Sequence, residues 1–592
     1  MREAIDRSDG VPLFLREILY SDSMFRGRKG EVPPTLRDLL ASRIDALGDE
    51  RQMLAVAACL GQTLDGNLLI AATGGPERPQ EGPHPSQIWL RTLLQKGLLE
   101  EDRPPPDPSY VFHHALMREV MLASLAASAR KAIHQRIAST MVEQFPERAV
   151  QSPEILAEHL LEAGQAMEAA EQFILAGIRT ASFGTYPEAI CHFERARALL
   201  DAQHSPRATA RRLQLLLLMG PVVKAARGYG SEAMEEIYRQ ADLLCESLPP
   251  GDATLPVLLG ATAATLARHG PQAAGKRLPL LLEHARMSQD TAIRIRGEAF
   301  SGYLSFWRGE IQGALSELES IDAMISRSEK ERLQPSWRFF EDPALAVPAK
   351  LCLLKLLSGN PDAAETLSTT LETALENVPA PGSRGYPQTF LTLFNVFLGN
   401  REKVGRKASL SLAIAEKYGF VQWETLSSMA RVWAEPGPGR AEMALALERQ
   451  IRGILPGIFP VYSILAAEVL LEEGWANEAR GLAHSARETA THSGLGLAIP
   501  ELLRLEGEGL LKGTKEERGR AEELFERSLS VAKSTGAWWF ALRTALSFAR
   551  HSPGEASHTS LRLSLERIRG GESFPMVQEA RTLLASPRTP TI

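Results

Sequence analysis

Short helical patterns alternate with proline- and glycine-rich stretches in the first quarter of the chain. Residues 33–48, 49–61 and 86–97 each place leucine, isoleucine or alanine at helical spacing. Residues 98–102 and 110–114 flank a proline-rich tip and predict the two strands of a β-hairpin. Several small helices followed by a hairpin are typical of a winged-helix domain, and we expect one here.

Strand signals end near residue 123, and a glycine–alanine pattern then recurs along Ala- and Leu-rich helices. The pattern is Gly, Ala five residues later, a large apolar residue four later, and a small or apolar residue three after that. It fits best at Gly184/Ala189/Phe193/Ala196, Gly309/Ala314/Leu318/Ile321 and Gly474/Ala479/Ala483/Ala486, more loosely at Gly228/Ala233, Gly359/Ala364 and Gly439/Ala444, and in its second half only at Ala521/Phe525/Ser528.

Close packing of two antiparallel helices explains this pattern, because alanines let the backbones approach and glycine ends the first helix. Twelve residues before an anchor alanine stand Gly177, Gly302 and Gly509, where a tetratricopeptide (TPR) repeat places a small residue on its first helix. An ordinary helical bundle also gives Ala-rich helices, but not anchors that recur near one spacing. The sequence therefore predicts a mainly α fold, in which a small winged-helix domain is followed by a TPR-like α-solenoid superhelix.

Composition and charge exclude several classes of protein. The 592 residues carry a net charge of -6, so the overall charge recruits neither nucleic acid nor an anionic membrane. The four cysteines lie far apart and suit a reducing compartment.

The most apolar run, 213–223, is shorter than the roughly 20 residues of a membrane helix. Glu3, Asp6 and Asp9 stand where a signal peptide is apolar. We expect a cytoplasmic protein without a membrane segment.

Motifs for catalysis are missing from the sequence. It contains no GxxxxGK[ST], GxSxG or HExxH, and no acidic residue stands at metal-ligand spacing from the adjacent His113 and His114. We expect no catalytic residue, no metal site and no enzyme activity of this chain alone.

Several segments in combination resemble the C-terminal part of a STAND-class signalling ATPase, an AAA-related family. Relatives of this kind are attached to nucleotide cyclase, Ser/Thr kinase or LuxR-type regulator domains. The segments are RSDGVPLFLREI (7–18), VPPTLRDLLASRIDALG (32–48), YVFHHALMREVMLASL (110–125), ARKAIHQRIASTM (129–141), ILAEHLLEAG (155–164), EDPALAV (341–347), ELLRLEGEGLL (501–511), ALRTALSFAR (541–550) and GGESFPMVQEARTLL (570–584).

The resemblance implies a nucleotide contact on three residues. Gly10 and Pro12 match a Gly-x-Pro that packs against adenine, and His114 matches a histidine that contacts a phosphate of ATP or ADP. Ala115 stands where stricter relatives carry Asp. Structural interpretations stay open: Gly10–Pro12 as a turn at the start of a helix, and His114 as a cap on a backbone carbonyl.

Four segments follow from the patterns and the resemblance together. We expect a remnant of an ATPase lid in 1–31, a winged-helix domain in 32–122, TPR-like repeats in 123–550, and capping helices with a tail in 551–592. The Walker A and Walker B halves of the ATPase are expected upstream, from a split gene, a late start codon or a separate chain.

The expected function is that of a sensor and regulatory segment. The TPR concave face would bind a protein, peptide or effector, and the winged helix would relay this event to a nucleotide switch, with an ATPase segment possible in trans. The alternatives are a TPR scaffold for protein assembly and a winged-helix transcription regulator. Nucleic acid is not an expected partner, because the candidate recognition helix 86–97 carries only Arg91 and Lys96.

Aromatic clusters in the repeats have two interpretations. Most of the aromatic residues, such as those in 337–340 and 538–540, are expected in the core between helix pairs. A minority is expected to line a binding surface.

Overall fold

A computed structural model of the chain describes residues 36–74, 85–246, 249–327, 342–378 and 381–585. The described residues are mainly α-helical, as the sequence predicts, and they divide into two compact units. Unit 1 contains the described residues up to Gly177 together with His192–Ala208. Unit 2 contains Ile178–Cys191 and the described residues from Thr209 onward.

In the described residues up to Asp201, the structure has three strands and ten helices. They are α1 (Leu36–Asp45), α2 (Glu50–Leu60), β1 (Thr63–Asp65), α3 (Gly66–Gly74), α4 (Pro85–Gln95), β2 (Leu99–Arg103), β3 (Ser109–Phe112), α5 (Ala115–Ser124), α6 (Ala127–Gln144), α7 (Pro146–Gln151), α8 (Pro153–Glu162), α9 (Ala166–Ser182) and α10 (Tyr186–Asp201).

The elements described after Asp201 are all helical. They are α11 (Pro206–Arg227), α12 (Glu232–Cys245), α13 (Leu255–His269), α14 (Pro271–Gly275), α15 (Leu278–Met287), α16 (Thr291–Trp307), α17 (Ile311–Arg327), α18 (Pro343–Leu357), α19 (Pro361–Glu376), α20 (Pro381–Leu398), α21 (Arg401–Tyr418), α22 (Val421–Ala434), α23 (Arg440–Ile454), α24 (Pro460–Glu472), α25 (Ala476–Ser493), a 3₁₀ turn (Gly496–Ala498), α26 (Ile499–Glu508), α27 (Lys515–Thr535), α28 (Trp538–His551), α29 (Glu555–Leu565) and α30 (Pro575–Ala585).

Residues 36–74 and 85–112 form a small module of helices on a three-stranded antiparallel sheet. The strand order is β1-β3-β2, with Leu64 opposite Tyr110 and Leu99 opposite Phe112. The predicted β-hairpin is present as β2 and β3, and the winged-helix domain stays a prediction. Strand β1 was missed by the sequence analysis because three residues are too few to show an alternating pattern.

The core of this module continues into the helices that follow it. Leu64 and Leu93 belong to one buried cluster with Met121 of α5, Ile137 of α6 and Leu156 of α8. The expected boundary at residue 122 falls inside α5. Within unit 1, the module and the next helices therefore share a single hydrophobic interior.

Unit 2 is a TPR-like series of helix pairs, and from α16 to α28 each first helix also contacts the first helix of the next pair. The anchors Ala314, Ala364 and Ala479 are completely buried, as predicted. At the looser copy Gly228/Ala233, the buried residue is Met234 rather than Ala233, because α12 begins four residues after Gly228.

The predicted small residues of the first helices are confirmed at two positions and corrected at a third. A Cβ on Gly177 would lie 2.4 Å from Phe193, and one on Gly302 would lie 2.5 Å from Leu318. In the last copy Gly507, and not Gly509, faces Phe525. The cause is the connection 509–514, which is longer than the connection 308–310 of the earlier copy.

Loops of unit 2 pack against helix pairs that come much later in the chain. Arg569 N donates a hydrogen bond to Gly359 O at 2.7 Å, and Gly457 N donates to Ala267 O at 2.8 Å. Gly359 has φ +93°, and a Cβ there would lie 2.5 Å from the carbonyl oxygen of Arg567. The helix pairs therefore coil back onto themselves, and main-chain hydrogen bonds join one turn to the next.

Candidate functional site

Of the three residues implied to contact a nucleotide, only His114 lies within the described residues, since Gly10 and Pro12 lie outside them. His114 directly precedes α5 with an extended backbone, and its side chain makes no cap hydrogen bond to that helix. Its ring lies edge-on to His113, with 4.3 Å between the centroids, and the His113 Nδ1 pairs with Glu100. The nucleotide contact of His114 stays a prediction.

The candidate recognition helix of the small module is α4. Arg91 on this helix is exposed, whereas the Lys96 Nζ beyond its end lies 2.5 Å from Glu50 Oε1. Because Lys96 is engaged by a carboxylate, Arg91 is the basic residue that α4 presents to solvent. That is little positive charge for contacts with a phosphate backbone.

The described part of the chain contains no group of three or more His, Cys, Asp or Glu side chains suited to a metal ion. None of its helices combines the length and the apolarity that crossing a bilayer requires.

A half-open cavity of about 510 Å³ lies within unit 2 and is lined mainly by the first helices of successive pairs. This volume is in the range of sites that bind small molecules. Its lining is drawn mainly from α11, α13, α16, α20, α22 and α24, and it comprises Ile178, Arg211, Gln214, Leu217, Leu218, Pro221, Tyr229, Tyr238, Pro256, Leu259, Ala263, Leu266, Ala267, Ile293, Arg296, Phe300, Tyr303, Trp307, Pro343, Tyr386, Thr389, Phe390, Gln422, Trp423, Leu455, Ile458 and Tyr462.

Helical spacing explains how single helices contribute several side chains to the cavity. On α16, Arg296, Phe300, Tyr303 and Trp307 recur at intervals of three or four residues and so lie on one face. This face points inward because the helix is buried between its neighbours along almost its whole length. These four side chains therefore form part of the cavity wall.

Aromatic rings form a continuous wall of this cavity. The ring of Tyr229 lies 6.1 Å from Trp423 and 6.0 Å from Tyr386, measured between centroids. Phe390 continues the row at 4.9 Å from Tyr386 and 5.9 Å from Trp307. These distances are typical of favourable aromatic pairs, and rings arranged so offer flat apolar faces to a ligand.

A buried cation supports this wall. The Lys350 Nζ lies 3.8, 4.3 and 4.4 Å from the ring centroids of Tyr303, Tyr386 and Phe390, and it donates a hydrogen bond to the Tyr386 hydroxyl. Lys350 itself is completely buried. The aromatic cage that these three rings form is therefore occupied by a cation of the chain itself.

The charged side chains that line the cavity are both arginines. Arg296 is buried, and its Nη1 donates a hydrogen bond to Ala292 O at 3.0 Å. Burial lowers the pKa of the Arg296 guanidinium, while the carboxyls of Asp342 and Asp290 act in the opposite direction. Arg211 Nη1 donates a hydrogen bond to Gln214 Oε1 at 2.7 Å.

One polar lining residue joins the cavity to the next turn of the array. Gln422 Oε1 accepts a hydrogen bond from the Tyr229 main-chain N at 2.8 Å. The bond fixes the loop that carries the Tyr229 ring against α22. A change in the cavity at Tyr229 therefore acts directly on the contact between two turns.

The sequence analysis did not locate this cavity. Its aromatic residues come from helices far apart in sequence, and each one alone looks like a core residue. In the described part of the aromatic clusters, Trp539 and Phe540 are completely buried, which agrees with the core interpretation. The residues of 337–340 lie outside the described ranges.

No protein-family model matches the chain. A 250-residue stretch is 30% identical to an uncharacterized protein of Rhizobium meliloti strain 1021. That stretch is 40% of this chain and 23% of the relative, so the chain spans less than a quarter of the length of the curated relative it matches.

A similar solved structure is a signal transduction ATPase with numerous domains (STAND) with a tetratricopeptide repeat sensor, from Pyrococcus horikoshii. The match covers 98% of this chain and 71% of the other, at 13% identity and a TM-score of 0.30. With a sequence identity and a TM-score this low, the function of that protein does not carry over to this chain. The TPR-like fold stands on the helix pairs of unit 2 themselves.

Proposed function

We propose that this chain is a sensor and regulatory segment of a STAND-type signal-transduction ATPase. In this proposal the repeats of unit 2 bind an effector. The small module of residues 36–74 and 85–112 then transmits this binding to a nucleotide site that it shares with an ATPase segment. The chain alone neither hydrolyses ATP nor needs a metal ion. The observation that carries the proposal is the 510 Å³ cavity inside the repeats.

The packing of unit 1 supports a relay. The module and helices α5, α6 and α8 share one buried core, so the module does not move independently of those helices. His114 stands between β3 and α5, inside this continuous body. A nucleotide contact at His114 would therefore couple to the helices that follow.

The first experiment locates the ATPase segment. The reading frame upstream of codon 1 and the neighbouring reading frames are sequenced, and we expect a GxxxxGK[ST] motif in one of them. The ATPase segment so found is purified with this chain, and ATP turnover is measured with and without the chain. We expect a change of at least fivefold. Absence of the motif, or an unchanged turnover, would favour the scaffold function instead.

Substitutions then test the relay. Pro12→Ala and His114→Ala are expected to change nucleotide retention in the assembled protein, measured as the release rate of bound ADP. The exposed His492 of unit 2 provides a matched control as His492→Ala. Equal release rates for all variants would contradict the nucleotide contact. A DNA mobility shift that disappears in Arg91→Ala would support the transcription-regulator alternative.

A further inference from the structure

We propose that the cavity of unit 2 binds a small, uncharged, planar molecule that carries a hydrogen-bond acceptor, such as the oxygen of a ketone or a lactone. The flat body would lie on the aromatic wall, and the acceptor would receive a hydrogen bond from the Tyr462 hydroxyl. This inference rests on the proposed function of the repeats as an effector-binding segment, and it names the site and the class of ligand.

Tyrosine is concentrated in the lining of this cavity. The lining has 27 of the 592 residues of the chain, yet it contains five of the nine tyrosines. They are Tyr229, Tyr238, Tyr303, Tyr386 and Tyr462. A tyrosine ring combines an apolar face with a polar hydroxyl. Apolar walls with a few placed polar groups are typical of sites that bind small molecules.

The shape of the ligand follows from the aromatic wall. Five rings from α16, α20, α22 and the loop at Tyr229 follow one another at 4.9–6.1 Å between centroids. Flat apolar groups gain most against such a surface, because offset stacking adds to the burial of apolar area. A polypeptide or an oligosaccharide would instead place main-chain N–H groups or hydroxyl groups against these rings without partners.

Three buried hydrogen-bond donors line the cavity. They are the hydroxyl of Tyr462 and the indole N–H groups of Trp307 and Trp423, and these residues are 5%, 3% and 8% exposed. Within the described ranges none of the three groups has a hydrogen-bond partner. The indole N–H groups of Trp433 and Trp539 in the same unit, by contrast, each donate a hydrogen bond. Because buried donors nearly always have an acceptor, we expect a ligand to supply one here.

Two of these donors stand where the cavity meets a second one of about 350 Å³. Thr389, Trp423 and Tyr462 line both cavities. An acceptor held at this junction would lie beside the two donors while the rest of the ligand covers the aromatic wall. The half-open form of the larger cavity gives a compact molecule a way in from solvent.

The absence of charge on the ligand follows from the cations around the cavity. Arg211 donates a hydrogen bond to Gln214, and the carboxyl of Asp342 favours the charged form of Arg296. Neither arginine therefore requires an anionic ligand. A cationic ligand would meet like charges, including Lys350 directly behind the wall. An uncharged molecule avoids both the repulsion and the cost of burying a further charge.

The test uses the purified full chain and three fluorescent naphthalene probes that differ at one ring position. Prodan carries a propionyl ketone there, N,N-dimethyl-2-naphthylamine carries hydrogen, and 6-(dimethylamino)-2-naphthoate carries a carboxylate. Each dissociation constant is measured from the change in probe emission. Prodan is expected to bind at least about fivefold more tightly than the naphthylamine, because its ketone accepts a hydrogen bond. It is expected to bind at least about tenfold more tightly than the naphthoate, because burying the carboxylate is costly.

Three variants locate the binding. Tyr462→Phe removes the hydroxyl and keeps the ring, and it is expected to weaken Prodan at least about fivefold and the naphthylamine less than about twofold. Tyr186→Phe is the matched control and is expected to change neither, because Tyr186 is also buried in unit 2 but lines neither cavity. Ala263→Phe fills part of the larger cavity, and it is expected to weaken both probes at least about fivefold.

The comparison between probes guards against partial unfolding, because a damaged fold weakens both of them. Equal losses of Prodan and the naphthylamine in Tyr462→Phe would overturn the hydrogen-bond acceptor. Binding of the naphthoate as tight as that of Prodan would overturn the uncharged class. Unchanged binding of both uncharged probes in Ala263→Phe would overturn the site.

Failure of this inference differs from failure of the proposed function. If the probes behave as expected but the chain does not alter ATP turnover, the ligand site stands and the regulatory function is wrong. If the chain alters turnover but the cavity variants bind the probes like the wild type, the regulatory function stands and the cavity is not its ligand site.

Discussion

A methyl group on Gly302 would lie 2.5 Å from the Cδ2 of Leu318, closer than side chains approach in proteins. Gly302 is on α16 and Leu318 on α17, so this contact sets the distance between the two helices of one pair. Gly177 and Phe193 repeat the relationship in another pair, at 2.4 Å. The recurring glycine is thus a requirement of close helix packing.

Gly302→Ala is therefore expected to destabilise unit 2. The added methyl must displace Leu318, which is completely buried, and such overpacking costs about 1–3 kcal/mol. Faster hydrogen exchange of peptides from α16 and α17, measured by mass spectrometry, would report the loss.

Gly313→Ala is the matched control on the neighbouring helix. A Cβ on Gly313 meets no atom within 4 Å, and alanine favours a helix interior by about 0.5–1 kcal/mol. We expect unchanged or slower exchange in this variant. Destabilisation of equal size in both variants would show that the Leu318 contact does not decide the outcome.

The repeats could be predicted because their packing is local in sequence. A glycine, an anchor alanine and a large residue within about twenty positions determine how two consecutive helices meet. Ala314, Ala364 and Ala479 confirm this. The errors at Ala233 and Gly509 came from connections of unusual length, which shift a count along the sequence without changing the packing.

The cavity could not be predicted for the opposite reason. Tyr229, Tyr386 and Trp423 meet only because the helix pairs coil back on themselves. No residue spacing within one repeat determines the distances between these three rings. The curvature depends on many small rotations between pairs, and these rotations are determined by the whole array.

A buried network of charges stabilises the C-terminal half of unit 2. Glu501 is completely buried, and its Oε2 accepts a hydrogen bond from Arg504 Nη2 at 2.8 Å and forms an ion pair with Arg543 Nε at 3.1 Å. Both arginines also contact Glu468. Glu501→Ala would leave two buried guanidinium groups without this partner, and it is expected to cost about 3–5 kcal/mol. The free energy of unfolding of α24–α28, from hydrogen exchange in increasing urea, measures the effect.

An exposed ion pair of similar geometry serves as its comparison. Arg550 and Glu579 form a two-pronged contact at 2.5–2.6 Å, with both side chains at least 40% exposed. Glu579→Ala is expected to cost less than about 1 kcal/mol, because solvent screens the pair. Similar losses in the two variants would contradict the importance of burial at Glu501.

The cysteines are expected to differ in reactivity with iodoacetamide at pH 8. Cys191 is exposed, whereas Cys352 is buried and its burial raises the thiol pKa to about 12. The thiolate is the reactive form, so Cys352 should react at least about 100-fold more slowly than Cys191. Peptide mass spectrometry over time measures both rates. The rapid phase should disappear in Cys191→Ser, and its persistence there would refute the assignment.

A pair of buried histidines should make unit 1 sensitive to acid. His134 Nδ1 of α6 lies 3.0 Å from His159 Nδ1 of α8, and both residues are buried. Burial, reinforced by the neighbouring His134, lowers the pKa of His159 from 6.5 to about 4, and burial lowers the pKa of His134 as well. The His159 ring is therefore neutral in the folded state near pH 6.

The sign of the pH dependence follows from proton binding. Between pH 6.5 and about 4 the unfolded chain binds a proton at His159 that the folded chain does not bind, so falling pH favours unfolding. The stability that the neutral His159 contributes is fully present above pH 6.5 and is lost as the pH falls to about 4. The free energy of unfolding then changes by an amount on the order of 3 kcal/mol. Charged groups near the pair, Glu162 and Glu158, raise these pKa values and limit the loss.

His159→Gln keeps a hydrogen-bonding side chain next to His134 but removes one titrating group. Hydrogen exchange of α6 peptides, corrected for intrinsic rates, should show a smaller loss of stability between pH 7.5 and 5 in this variant than in the wild type. His492→Gln, at an exposed histidine, should retain the full wild-type loss. If His159→Gln loses as much stability as the wild type over this range, the acid sensitivity of unit 1 arises from carboxyl groups and not from the histidine pair.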